Sequence, residues 1–226
     1  KKAVGVVAYV NDGTAEGNAI TEKDKAGVGI GGHGLVIALN RIGNTSSGYK
    51  WSSAATALYG TYPDVFKQVN SMALVKTDFD GYLKTATVLD PNKINGDATT
   101  YPAFYAARHY QDDIAGTTSW FLPSAGQWYA VVTAKGLGGY QDGNGSTSYS
   151  EDETTGTIMF VNSYSQSYSG GHHAYSVYTN ISNAIKNAAN ASKLIGNSVA
   201  SYTDSNNLYY RTSSENSQSC NVGILP

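Results

Sequence analysis

The order of apolar and polar positions divides the chain into strand-like and helix-like stretches. Ala3 to Val10 (AVGVVAYV) is apolar and β-branched and ends on the turn signal Asn11-Asp12-Gly13, which predicts a strand. His33 to Leu39 (HGLVIAL) predicts a second buried strand, paired with the first as a hairpin. Residues 14–32 between them are polar and Gly-rich and are expected to form a loop. Pro63 opens a helical pattern with Phe66, Val69, Met72 and Ala73 at spacings of three and four. Pro102 opens another, with Ala103, Ala106, Ala107 and Tyr110 on one face. Proline suits the first helical turn, where an N–H has no intrahelical acceptor to lose. Thr157 to Val161 (TIMFV) predicts a strand. Thr179 to Ile195 gives the clearest helix, with Ile181, Ala184, Ile185, Ala188 and Ile195 on one face and Gly196 as its stop.

The joint Ser119-Trp120-Phe121-Leu122-Pro123-Ser124-Ala125-Gly126-Gln127-Trp128 carries the densest local signal. Ser124 can cap a helix by accepting from the N–H of Gln127. Gln127 can reach back to the N–H of Ser124, which completes a capping box. Pro123 and Trp128 fall where two apolar groups staple the chain's approach to the helix. The helix is expected to stop near Lys135-Gly136. There is no internal repeat and no Pro/Ser-rich linker. One α+β domain spanning residues 1–226, with long loops, is the expectation.

Composition narrows the partners. Of 226 residues, 41% are hydrophobic and only 14% charged, with a net charge of −2. That is enough apolar matter for a core and no basic stripe for a nucleic acid. No run of 18 apolar residues exists, so no membrane span is expected. A single cysteine, Cys220, excludes an internal disulfide framework. The chain opens on Lys1-Lys2 without Met, as a chain does once a leader is removed or when it is cut from something longer. Eighteen Tyr and 25 Gly stand beside many Ser, Thr and Asn. This is the mixture of antibody paratopes, and equally that of loop-rich extracellular β proteins.

Candidate chemistry is sparse. His172 and His173 are adjacent and so point apart, unlike the i, i+4 pair of a helical metal site. Asp78-Phe79-Asp80-Gly81 begins like a calcium loop but lacks the third acidic ligand and the distal Glu, and reads better as a turn capping the next helix. Asp112-Asp113 and Glu151-Asp152-Glu153 read as solvated surface. Gly29-Ile30-Gly31-Gly32 is followed by no helix pattern, and no phosphate loop or nucleophile elbow is present. Nothing near Cys220 in sequence supplies a base. No catalytic residue, metal ligand or cofactor is expected. The segment Leu208-Tyr209-Tyr210-Arg211-Thr212-Ser213-Ser214-Glu215 alternates aromatic and polar residues, and predicts either a strand with an exposed face or a surface loop. Tyr and Arg are residue types enriched at binding hot spots.

Taken in order, Val4–Tyr9, His33–Leu39, Asp78-Phe79-Asp80-Gly81, Trp120-Phe121-Leu122-Pro123-Ser124 and Tyr210-Arg211-Thr212-Ser213-Ser214-Glu215 resemble a group of surface proteins from Bacteroides-like bacteria. That group is similar to the DUF1566, or Legionella collagen-like protein C-terminal, domain, and more distantly to the formylglycine-generating branch of the C-type lectin fold. The resemblance covers nearly the whole chain and rests most on the Trp-Phe-Leu-Pro-Ser joint. It implies a C-type lectin-like α+β fold, with several helices flanking a small, mainly antiparallel sheet. It also implies an exported, cell-surface adhesion domain: a fimbrial tip protein, another adhesin, or a variable protein of a diversity-generating retroelement. The expected partner is a host or bacterial surface protein or glycan. Carried over by position, the ligand-contacting residues are Asn206, Asn207, Tyr209, Tyr210, Arg211, Asn216 and Gln218. The family usually has Trp where Arg211 stands, and continues past the equivalent of Leu225 with another strand or two. The Glu-Pro-Asn, Gln-Pro-Asp and Trp-Asn-Asp tripeptides of calcium-dependent sugar binding are absent. Two alternatives remain beside adhesion. One is a structural pilus or surface-layer subunit, with other subunits as partners. The other is a formylglycine-generating-type enzyme, whose family chemistry uses two cysteines where this chain has one.

Overall fold

The computed structural model describes residues 5–23, 25, 32–39, 42, 49–53, 57–110, 120–132, 150–152, 157–159, 210–217 and 220–224. The helix expected over 179–195 lies outside them. Within them the protein is α+β, with short helices and three antiparallel two-stranded ladders. In chain order the elements are β1 (Gly5–Val10), α1 (Ala15–Ile20), β2 (Gly34–Ala38), α2 (Leu58–Thr61), α3 (Met72–Val75), α4 (Gly81–Leu89), α5 (Pro102–Arg108), α6 (Ala125–Val132), β3 (Ser150–Asp152), β4 (Thr157–Met159), β5 (Tyr210–Ser217) and β6 (Cys220–Ile224).

The expected hairpin forms: β1 pairs antiparallel with β2, from Gly5 opposite Ala38 to Val10 opposite Gly34. A register shift between Val7 and Tyr9 adds one residue to β1. Because strand side chains alternate, the extra residue resets which face follows. Tyr9 and Leu35 therefore turn inward, while Val7, Val10 and Val36 share the outer face at 56, 66 and 48% exposure.

Two expectations are corrected. The stretch 14–32 is not all loop, because α1 occupies Ala15–Ile20. Thr14 caps it, its hydroxyl accepting from the Gly17 N–H at 3.0 Å, and Glu16 puts an acid in the first turn. The helix expected from Pro63 does not form. Residues 63–65 are a turn, and Phe66 and Val69 are buried from irregular backbone, with Gln68 bridging to β5. Periodic apolar spacing here reflects two inward anchors rather than a helix, and the helical part, α3, starts only at Met72.

The core gathers where α4 and α5 meet. Trp51, Leu58, Phe66, Val88, Tyr101, Ala103, Phe104, Ala107 and Leu122 form its main cluster. Trp51 meets Phe66, Tyr101 and Phe104 edge-on, with ring centroids 6.5, 6.0 and 5.2 Å apart. Helix α5 begins with Pro102 in its first turn, as expected, and sends Ala103, Phe104 and Ala107 into this cluster.

Candidate functional site

The sequence motifs converge on one buried polar centre. Ser124 and Gln127 form the expected capping box: the Gln127 N–H donates to Ser124 Oγ at 3.4 Å, and the Ser124 N–H donates to Gln127 Oε1 at 3.0 Å. The box also does something local sequence does not announce. The Gln127 amide donates to the Ile20 carbonyl at 3.0 Å and to the Glu22 carboxylate at 2.9 Å. Helix α6 is thereby tied to the end of α1.

Glu22 has no counterpart among the sequence expectations. It sits just past α1 at φ 52°, in the left-handed region where glycine is usual. The Glu22 N–H donates to the Ala19 carbonyl and the Lys23 N–H to the Asn18 carbonyl, the paired bonds of a Schellman stop. A side chain is retained there because it works elsewhere. Its carboxylate accepts from the N–H groups of Tyr82 at 2.7 Å and Leu83 at 3.0 Å, the free donors at the start of α4. Within the Asp78–Gly81 turn expected to cap that helix, Asp80 stands at the N-cap position but makes no side-chain cap, and pairs with Lys25 instead.

Asp78, Lys84 and Ser214 complete the centre. Lys84 lies on the inner face of α4, 1% exposed, and contacts Asp78, which is 8% exposed. The other Asp78 carboxylate oxygen accepts from the Ser214 hydroxyl. Ser214 Oγ in turn accepts from the Ala125 N–H at 2.8 Å. The Asp78 carbonyl takes the Ser124 hydroxyl and the Gly126 N–H. Thr85, beside Lys84, accepts from the Leu122 N–H at 3.1 Å. The Trp-Phe-Leu-Pro-Ser joint, the Asp78–Gly81 turn and the Thr212–Glu215 segment are thus one hydrogen-bonded unit.

Between the two readings of the Tyr210–Glu215 stretch, the backbone is a strand, paired antiparallel with β6. From Arg211 to Glu215 the strand advances four residues while β6 advances two, from Gly223 to Asn221. The surplus lets Thr212, Ser213, Ser214 and Glu215 all be buried, which simple alternation would forbid. Each is fastened. The Ser213 N–H donates to the Pro123 carbonyl at 2.8 Å, and the Glu215 carbonyl accepts from the Val69 N–H at 2.7 Å. The Glu215 carboxylate accepts from Leu58 and Tyr59 N–H groups at 2.9 Å each, capping α2. Of the expected contact residues, Tyr210, Arg211 and Asn216 stand on the ends of β5, outside its buried middle. Asn206, Asn207, Tyr209 and Gln218 lie outside the described residues. His172 and His173 do too. Among the described residues no three His, Cys, Asp or Glu side chains are grouped to hold a metal ion, and no helix is long and apolar enough to cross a membrane.

Burial raises the pKa of both Glu22 and Glu215 above the ordinary value of 4.5, although the N–H groups they accept from oppose the shift. Between that ordinary value and the raised one, the folded protein holds protons that the unfolded chain has released. Stability is therefore expected to fall as the pH rises through this window. Asp97 acts at lower pH and in the opposite sense. The Thr100 and Thr99 N–H groups lower its pKa below 3.8, so its contribution is lost on acidification. Urea unfolding between pH 4.5 and 7 checks this: Glu22→Gln should flatten the decline seen in the parent chain, and an equal decline in both would contradict it.

No family model, curated protein or solved structure matches this chain.

Proposed function

We propose that the chain is a non-enzymatic recognition domain of the cell surface, with a C-type lectin-like fold related to the DUF1566 group. It binds a protein or glycan through the Tyr-, Asn- and Ser-rich segment around β5. The observation that carries this reading is the fastened, buried middle of β5, with Tyr210, Arg211 and Asn216 flanking it in sequence. Thr212 to Glu215 are bonded to α2, to the α6 joint and to the Val69 segment. A strand immobilised in this way leaves the backbone beside it little ordering to lose on binding, which favours affinity. Tyr, Arg and Asn at those flanks supply amphipathic area and adaptable hydrogen bonds. The nucleophile-bearing centre argues for binding over catalysis, since Ser124, Ser214 and Lys84 are at most 1% exposed and no substrate reaches them.

Glycan and host-protein arrays test the reading. A ligand is expected, and alanine at Tyr209, Tyr210 and Arg211 together should abolish its capture while leaving the melting temperature within a few degrees of the parent. No ligand in either screen, or full capture by the triple variant, would overturn it. The outward apolar face of Val7, Val10 and Val36 favours one second reading, a subunit that stacks or pairs through its hairpin. Electron microscopy and size-exclusion of the purified chain distinguish polymers from a monomeric binder.

A further inference from the structure

We propose that Lys84 and Asp78 are the two ends of an intramolecular isopeptide bond, formed by the folded protein itself. The buried centre holds an amine, a carboxyl group and hydroxyls where no outside substrate enters, so the only reaction open to it is with itself. Lys84 and Asp78 are in contact, and both are sequestered from solvent. The Asp78 oxygen away from Lys84 is held by the Ser214 hydroxyl, which keeps the carboxyl group from rotating off the amine. Effective concentrations of well-oriented neighbouring groups are very high, so fixed contact supplies what a free amine and acid in water lack.

The environment also favours the product. A buried ion pair has given up the hydration of two charges, and its mutual attraction only partly compensates. Passing one proton from the ammonium to the carboxylate leaves a neutral amine and a carboxylic acid. The Lys84 nitrogen then bonds to the Asp78 carboxyl carbon. The carbon–oxygen bond to one carboxyl oxygen breaks, and that oxygen leaves as water with the acid proton and one amine proton. An uncharged amide remains, and nothing is oxidised or reduced. With a single cysteine, the chain has no internal disulfide to serve as a staple.

Mass spectrometry of the purified, folded and then denatured full chain decides the matter. The expected intact mass is lower than the sequence mass by one water. Trypsin should then fail to cut after Lys84, giving a peptide of residues 77–93 that carries the loss, with fragment ions linking Asp78 to Lys84. Lys84→Arg keeps the cation and should restore the full mass. Two results would overturn the proposal. One is an unshifted mass with normal cleavage after Lys84. The other is a water loss that maps to a succinimide at Asp80-Gly81, which leaves Lys84 cleavable.

Discussion

Replacing Glu215 by Ala is expected to destabilise the protein by about 3 kcal/mol or more, the larger of two effects that define this fold. The carboxylate is the acceptor for the first two N–H groups of α2, donated by Leu58 and Tyr59, and the glutamate is 2% exposed. A buried donor left without an acceptor costs about 1–3 kcal/mol, and bonds to a charged partner lie toward the upper end. Two such donors, plus the space left by the side chain, give the total. Water cannot take over cheaply, because Leu58 also belongs to the main core cluster. Glu215→Gln should cost much less. It keeps one acceptor oxygen and removes the desolvated charge that raises the glutamate's pKa. Urea unfolding of the two variants at neutral pH checks the order, and equal losses would contradict the capping account.

Gly126→Ala is expected to cost about 2–3 kcal/mol, opposite in sign to the gain of up to about 1 kcal/mol that alanine gives at an exposed helical position. A Cβ at this position would stand 2.6 Å from the carbonyl oxygens of both Asp78 and Val75 and 2.9 Å from the Phe79 ring. Two of those three neighbours are backbone and have little freedom to withdraw. The methyl group therefore pushes the start of α6 off the 75–79 segment. That breaks the 3.1 Å bond from the Gly126 N–H to the Asp78 carbonyl and loosens the bonds that Ser214 makes on either side. Thermal unfolding reads the result. A raised melting temperature would show that the two segments do not cross as closely as the glycine implies.

The features visible in the sequence were those encoded by neighbours. The β1–β2 hairpin follows from two β-branched runs and a turn signal. The capping box of Ser124 and Gln127 and the first-turn Pro102 of α5 follow from spacings of a few residues. What escaped were bonds that cross long stretches of chain. Glu22 caps a helix 60 residues away, and nothing in Thr-Glu-Lys says so. Glu215 caps one more than 150 residues away. Asp80 had the right residue type at the right place, yet the cap went to Glu22 because that carboxylate arrives from α1 already oriented. Residues 14–32 read as loop on their polar, Gly-rich composition, and the short α1 that Thr14 caps is hidden in it. The Pro63 pattern misled because Phe66 and Val69 are both inward without a helix between them. In Thr212–Glu215 the alternation rule failed at a bulge, and four consecutive buried polar residues are a pattern that no single period describes.

The account turns on the middle of β5 being part of the core. Native-state hydrogen exchange tests this directly at the amides of Ser213, Val69, Leu58 and Tyr59, which donate to Pro123, to the Glu215 carbonyl and to the Glu215 carboxylate. All four are expected to exchange only through global unfolding, with a common free energy equal to that from denaturant. Exchange of these amides through local opening, as fast as that of the exposed Asp97–Thr100 turn, would mean that β5 is not anchored, and the account would fail.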